Sequence, residues 1–283
     1  MGPILCTTDY SKNAISALKF GHALSKKLNT PLILLHVFDI NVALVTPMSM
    51  TFAKMQKEAF QKHEHKLIHF CEEHLGVLPD GQHLKVVVKD NAILEEELMQ
   101  SIHDHNAEFL VMGMKGSSAL KDVLFGSTTK SMIDKSPCPV LAVPPDWNTY
   151  RLDIISYATD FEESDIHALQ WIVKILAEPL NSELNVVHFT SQKEDNENDQ
   201  MEWFKDMLQS KLTYDHINYD IIEDDDVMIG LMDYLDRSDS KLVAMLEREH
   251  KGFLNTWTHA DKVKMMSSRG KVPLLSFNKD YLK

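Results

Sequence analysis

Between residues 113 and 128 the chain places small, donor-rich residues at a spacing that suits an anion. Gly113-Met114-Lys115-Gly116 is followed by nine residues and then by Gly126-Ser127-Thr128. Glycine lets backbone N–H groups approach a phosphate with no Cβ in the way. Ser127 and Thr128 add hydroxyl donors and a cap at the start of a helical pattern, whose N-terminus favours negative charge. The stretch is not a P-loop, because no Gly-Lys-Ser/Thr closes it, and the dinucleotide fingerprint belongs after a first strand. Loop glycines and an ordinary helix cap are the plain alternative. Asp9 is the second candidate, directly after the first strand-like run. Its carboxylate could hold ribose hydroxyls or a metal on the phosphates, or it could cap a helix alongside Ser11. The two pieces become one crevice if the first and fourth strands are neighbours, since ligands of open parallel sheets gather where the winding reverses.

Other candidates have ordinary explanations. His65 and His69 stand four residues apart, with His63 and His74 nearby, a spacing that can present two imidazoles to a metal. The stretch around them carries Glu64, Lys66, Glu72 and Glu73, as a solvated helix face would, and a bare pair lacks the further ligands zinc takes. His36 and His188 sit at matching strand ends and read as packed strand residues, with lining of the crevice as the alternative. Met48, Met50 and Met55 crowd one loop and helix start, either as an adaptable surface or as core filling. No Ser-His-Asp or Cys-His nucleophile arrangement is visible.

The elements that must position these residues alternate. Ile4 to Thr8, Pro31 to Phe38, Leu84 to Val88, Phe109 to Met112 and Val140 to Val143 are predicted strands. Asn13 to Leu28, Phe52 to Leu75, Ile93 to His103 and Thr128 to Lys135 are predicted helices between them. Strands alternating with helices predict an α/β fold with a parallel sheet covered on both faces. The second half repeats the order, with strands over Asp153 to Tyr157, Leu184 to Phe189, Tyr219 to Ile222, Leu242 to Met245 and Pro273 to Phe277. Residue echoes support a duplication: Thr8-Asp9-Tyr10 matches Thr159-Asp160-Phe161, and Leu35-His36-Val37-Phe38 matches Val187-His188-Phe189. The Pro-rich stretch Pro144-Pro145-Asp146-Trp147-Asn148-Thr149 reads as a linker, giving domains 1–146 and 147–283. A single ten-stranded domain is the alternative that the repeat disfavours.

Composition excludes several classes. The formal net charge of −13 over 283 residues does not suit a nucleic-acid platform, which needs clustered Lys and Arg. The acidic runs Glu194 to Asp199 and Glu223 to Asp226 read as solvated loops or helix starts. No apolar run approaches the roughly 20 residues of a membrane-spanning helix. The N-terminus runs straight into strand-like sequence, and Cys6, Cys71 and Cys138 form an odd, widely spaced set. Together these predict a cytoplasmic protein with free, buried thiols at Cys6 and Cys138.

The Ile-Leu-x-x-Thr-Asp-Tyr-Ser opening, the strand ending Leu-His-Val-Phe, Gly-x2-Gly-x9-Gly-Ser before a helix, and Ser-Pro-Cys-Pro-Val-Leu-Ala-Val resemble the ATP-binding type of universal stress protein. The resemblance covers residues 3–144 and, more weakly, 151–278, with one departure at Thr7, where many members have proline. It implies an adenine-nucleotide alpha-hydrolase-like fold: two repeated open parallel five-stranded sheets in the order 3-2-1-4-5, flanked by helices. It implies ATP, with magnesium on the phosphates, over the carboxyl strand ends of the first half. Carried across by position, Asp9 meets the ribose and Val37 the adenine through its backbone. Gly113 and Gly116 line ribose and phosphates, and Gly126, Ser127 and Thr128 hold the phosphates. Thr8, Met112 and Lys115 complete the expected site. The resemblance also implies an internal pseudo-dimer of the two halves and a homodimer of chains.

The second half departs from that pattern. Counted back from Pro273 against Pro139 without a gap, Gly113 corresponds to Glu247, Gly116 to His250 and Gly126-Ser127 to Ala260-Asp261. Carboxylates there would repel phosphate oxygens, so no ATP is expected in that half, and Trp257 is expected to plug the vacated space or face a partner. Three functions stay open. They are a nucleotide-dependent regulatory protein, a slow magnesium-dependent ATPase or phosphotransferase using Asp9 and Lys115, and a nucleotide-free scaffold.

Overall fold

A computed structural model of the chain describes residues 1–40, 50–114, 125–190, 197–247 and 272–279. The first half builds β1 (Ile4–Thr7), α1 (Lys12–Lys27), β2 (Leu32–Phe38), α2 (Met50–Leu75), β3 (Leu84–Asp90), α3 (Leu94–His105), β4 (Phe109–Gly113), α4 (Ser127–Lys135) and β5 (Val140–Val143). The second builds β6 (Ile154–Ala158), α5 (Glu163–Ile172), a π-helical turn (Val173–Ala177), α6 (Glu178–Leu180), β7 (Glu183–Thr190), α7 (Glu197–Lys211), β8 (Ile217–Glu223), α8 (Val227–Arg237), β9 (Leu242–Glu247) and β10 (Leu274–Asn278). The ten strands and the four helices of the first half begin and end within about two residues of their predicted limits, the usual uncertainty of element ends.

The strands run β3-β2-β1-β4-β5-β10-β9-β6-β7-β8, so each half has the order 3-2-1-4-5. The inner strands β1, β2, β4 and β5 are almost wholly apolar because both sheet faces are covered, whereas the edge strands β3 and β8 carry Lys85, Lys89, Asp90, Asp220 and Glu223. Ile4, Leu5 and Cys6 of β1 are wholly buried. The two sheets do not stand apart. Edge strands β5 and β10 pair antiparallel through Leu274 with Ala142, Leu275 with Leu141 and Ser276 with Val140, which makes one continuous ten-stranded sheet. It is not a single winding, since the halves run in opposite senses on either side of that seam. Pairing satisfies backbone groups that two open edges would leave bare.

One apolar cluster lies on the face covered by α1, α2, α5 and α7, and it is continuous across the seam. Trp171 packs edge-on against Phe109 of β4, 5.8 Å between ring centroids, and against Phe277 of β10 at 5.4 Å. The stretch predicted as a linker is packed as well, through Trp147 against the core, and just beyond it Tyr150 lies 6.5 Å from Phe20 while its carbonyl accepts Lys27 Nζ at 2.8 Å. A second cluster lies under α3, α4 and α8.

The π-turn has a counting explanation. Ile4 pairs with Leu32 in the first half, but Ile155 pairs with Leu184 in the second, so the second half carries one extra residue between its first two strands. A π-turn takes up one residue without breaking a helix, and Val173–Ala177 does so inside an otherwise α-helical run. All three cysteines are free and buried, and burial pushes their thiols up, Cys71 to about 11 and Cys138 to about 12.

Candidate functional site

The crevice lies where the winding reverses, between the carboxyl ends of β1 and β4. There Thr8, Asp9, Val37, Met112, Gly113, Gly126, Ser127 and Thr128 line one cavity of about 270 Å³. They are eight of the ten residues expected from sequence; Lys115 and Gly116 lie outside the described residues. Thr7, Ala14, His36, Leu94 and Thr129 line it as well.

The β1–α1 turn sets the left wall. Thr8 N–H donates to Leu35 O at 3.0 Å, and Tyr10 N–H to Thr8 Oγ1 at 3.0 Å. Tyr10 thereby sits at φ 63°, a left-handed conformation uncommon for a bulky residue. Asp9 is exposed at the mouth, and its Oδ1 accepts Ser11 N–H at 2.9 Å, while Ser11 caps α1 by accepting Ala14 N–H at 3.3 Å. His36 is more than a packed strand residue. Its Nδ1 lies 2.9 Å from Thr8 O, which can only accept, so the proton sits on Nδ1 and the ring clamps the turn. Burial lowers the His36 pKa, keeping the imidazole neutral at pH 7.

Val37 faces the crevice with its backbone. In a parallel strand both polar groups of a residue face one neighbour, and successive residues alternate. Leu35 O serves β1, so the N–H and C=O of Val37 face the same way, past the point where β1 has ended at Thr7. Val37 and Leu94 are half-buried and Met112 is buried, so the same end of the cavity has an apolar wall.

The opposite end is the start of α4. Gly126 is its N-cap, with no side-chain cap bond among the described residues, so Ser127 opens the helix and does not cap it as expected. Gly126 N–H is spent on Met114 O at 2.7 Å, and Thr129 Oγ1 donates to Gly113 O at 2.9 Å. The N–H groups of the first helical turn have no carbonyl a turn earlier. Gly113 is glycine for a reason the sequence did not disclose. A Cβ there would stand 2.9 Å from Asn13 O and 3.0 Å from Asn13 C, because the backbone of α1 passes over the end of β4.

The second half repeats the first turn closely. Thr159 N–H donates to Val187 O at 2.9 Å, Phe161 N–H to Thr159 Oγ1 at 2.9 Å, and His188 Nδ1 to Thr159 O at 2.8 Å, with Phe161 at φ 62°. Its ligand end differs. By strand register Val111 aligns with Cys6 and Ala244 with Tyr157, so the counterpart of Gly113 is the buried Leu246, and Glu247 stands at the place of Met114. The gapless count placed Glu247 one residue off, because the two halves differ by one residue between strand four and strand five. His250, Trp257, Ala260 and Asp261 lie outside the described residues.

Asp165 is the larger difference, since it stands where Ala14 lines the first cavity. It is wholly buried. Tyr157 Oη donates to its Oδ1 at 2.7 Å, and Thr159 Oγ1, Glu162 N–H and Asp160 N–H to its Oδ2 at 2.8, 3.1 and 3.3 Å. Burial pushes its carboxyl up to about 6. Met48 lies outside the described residues, and neither His65 nor His69 lines the crevice. His65 and His69 are exposed on α2, and among the described residues no group of three or more metal-ligating side chains gathers.

Fold and crevice define an open parallel α/β protein with a cavity at the switch point of its first half. The model of the universal stress protein family matches residues 1–144, and the chain belongs to that family. It is 30% identical over 150 residues to the universal stress protein MJ0577 of Methanocaldococcus jannaschii, an alignment covering 50% of this chain and 93% of that protein. Among solved structures it is similar in fold to a universal stress protein of Archaeoglobus fulgidus, with a TM-score of 0.66 at 16% identity and 98% of each chain covered. A protein of Pseudomonas aeruginosa described as a putative universal stress protein gives 0.59 at 10% identity, covering 100% of this chain and 95% of that one. No helix among the described residues is long and apolar enough to cross a membrane.

Proposed function

We propose that the chain is a nucleotide-dependent regulatory protein that binds ATP with magnesium in its first half. The observation that carries this is one shared cavity at the switch point of the first half. Eight of the residues that the family resemblance implies for the nucleotide site line it, from β1, β2, β4 and α4. An adenine edge suits the paired N–H and C=O of Val37 beyond the end of β1, with Leu94 and Met112 as apolar cover. The α4 start and the hydroxyls of Ser127 and Thr128 suit the phosphates, and Asp9 suits the ribose or the metal that neutralises them. We assign domains 1–146 and 147–283, with the second binding no ATP. Leu246 replaces the glycine of the first half, and the buried carboxylate of Asp165 stands in the wall. Cytoplasmic residence and pairing of two chains belong to the same reading.

ATP titrated into the purified protein in the presence of magnesium tests it. Asp9→Asn should weaken binding at least about tenfold, the scale of one lost charge-assisted contact at about 1.4 kcal/mol. Equal binding by both proteins would remove Asp9 from the site. Magnesium-dependent turnover lost in Asp9→Asn would replace the regulatory reading with the ATPase reading.

A further inference from the structure

The start of α4 is held by tertiary contacts, not by a cap of its own. In many helices the third residue reaches back to the N-cap N–H. Here Thr129 occupies that third position and turns outward, donating from Oγ1 to Gly113 O at 2.9 Å. The N-cap N–H, which that arrangement would use, goes to Met114 O. The two bonds join both ends of the chain excursion between β4 and α4. Gly113 is itself fixed, paired with Val143 on one side and pressed against the backbone of Asn13 on the other. Thr129 is 4% exposed, so the bond is screened from water.

We propose that Thr129 is the positioning residue of the phosphate end: through Gly113 O it sets the angle at which α4 presents Ser127 and Thr128 to a polyphosphate. The inference rests on the nucleotide reading for its ligand but not for its geometry. Polyphosphate recognition needs donors placed before the ligand arrives, and a helix start anchored to a fixed strand end supplies that. Thr129 does not itself carry the phosphate.

Thr129→Val keeps the shape and loses the donor, whereas Thr129→Ser keeps the donor. Binding of ATP and of adenosine is measured for both variants and the wild type. Amide hydrogen exchange over residues 126–131 is measured in the nucleotide-free proteins. Thr129→Val should bind ATP about tenfold more weakly with adenosine unchanged within about twofold, and Thr129→Ser should return to wild type. Exchange of the bonded amides at the start of α4, Gly126 and Lys130, should be about tenfold faster in Thr129→Val, the scale of one lost hydrogen bond. Exchange unchanged in Thr129→Val, or ATP and adenosine weakened equally, would overturn the inference. A wild type that binds neither ligand would sink the nucleotide reading, while the exchange result still decides the role of Thr129.

Discussion

Replacing Asp165 with Asn tests whether the second half hides a carboxylate at a cost. The group is wholly buried, and desolvation raises its pKa from 3.8 to about 6, against the opposing hydrogen bonds from Tyr157, Thr159 and Glu162. A carboxyl whose folded pKa lies above its unfolded value contributes most below about pH 4, and that contribution is lost as pH rises through about 6. Roughly two pKa units at 1.36 kcal/mol each give about 3 kcal/mol in total, about 2 kcal/mol of it between pH 4 and pH 7. Asn keeps one acceptor for the Thr159, Asp160 and Glu162 donors, and its amide can donate to Tyr157 Oη after the hydroxyl turns. Urea unfolding of both proteins across that window isolates the single group. The wild type should lose about 2 kcal/mol relative to Asp165→Asn from pH 4 to pH 7. A gap that is flat with pH, or one that favours the wild type increasingly as pH rises, would refute desolvation as the dominant effect. It would mean that the four donors hold the carboxylate as an anion.

Gly113→Ala should cost about 1–3 kcal/mol in urea unfolding, because the new methyl meets main-chain atoms of Asn13 that cannot rotate away. ATP affinity should fall with it, and a stability within about 0.5 kcal/mol of wild type would show that α1 yields freely. Trp171→Ala should cost about 2–4 kcal/mol while keeping a single unfolding transition, since its ring binds Phe109 of one half to Phe277 of the other. Two separated transitions in the wild type would contradict a shared core.

What was legible in the sequence was local. The glycine spacing, Asp9 beside β1 and the alternation of strands with helices each sit within one stretch of chain, and they pointed to a parallel sheet with a crevice between β1 and β4, while the strand order came from the family resemblance. What escaped depended on residues brought together across elements. Ala14 and Leu94 reach the cavity from helices whose apolar patterns look like ordinary core faces. The His36 bond to Thr8 O joins β2 to the turn after β1, although its echo at His188 was a signal that both histidines serve the turn. The need for glycine at position 113 comes from α1 and not from a ligand. The second half differs from the first by a single residue at two places, of which only the later one misled the count. One is absorbed as the π-turn after α5, the other lies between strands four and five, and only the pairing register shows that Leu246, not Glu247, replaces Gly113. Trp171 gave no sign in sequence that it would join the halves.

The most direct measurement is the number of ATP molecules bound per chain at saturation with magnesium. The account predicts one, held in the first half and lost when Ser127 and Thr128 are both changed to Ala. Two per chain would show that Leu246 and Asp165 do not close the second half, and none would contradict the nucleotide site itself.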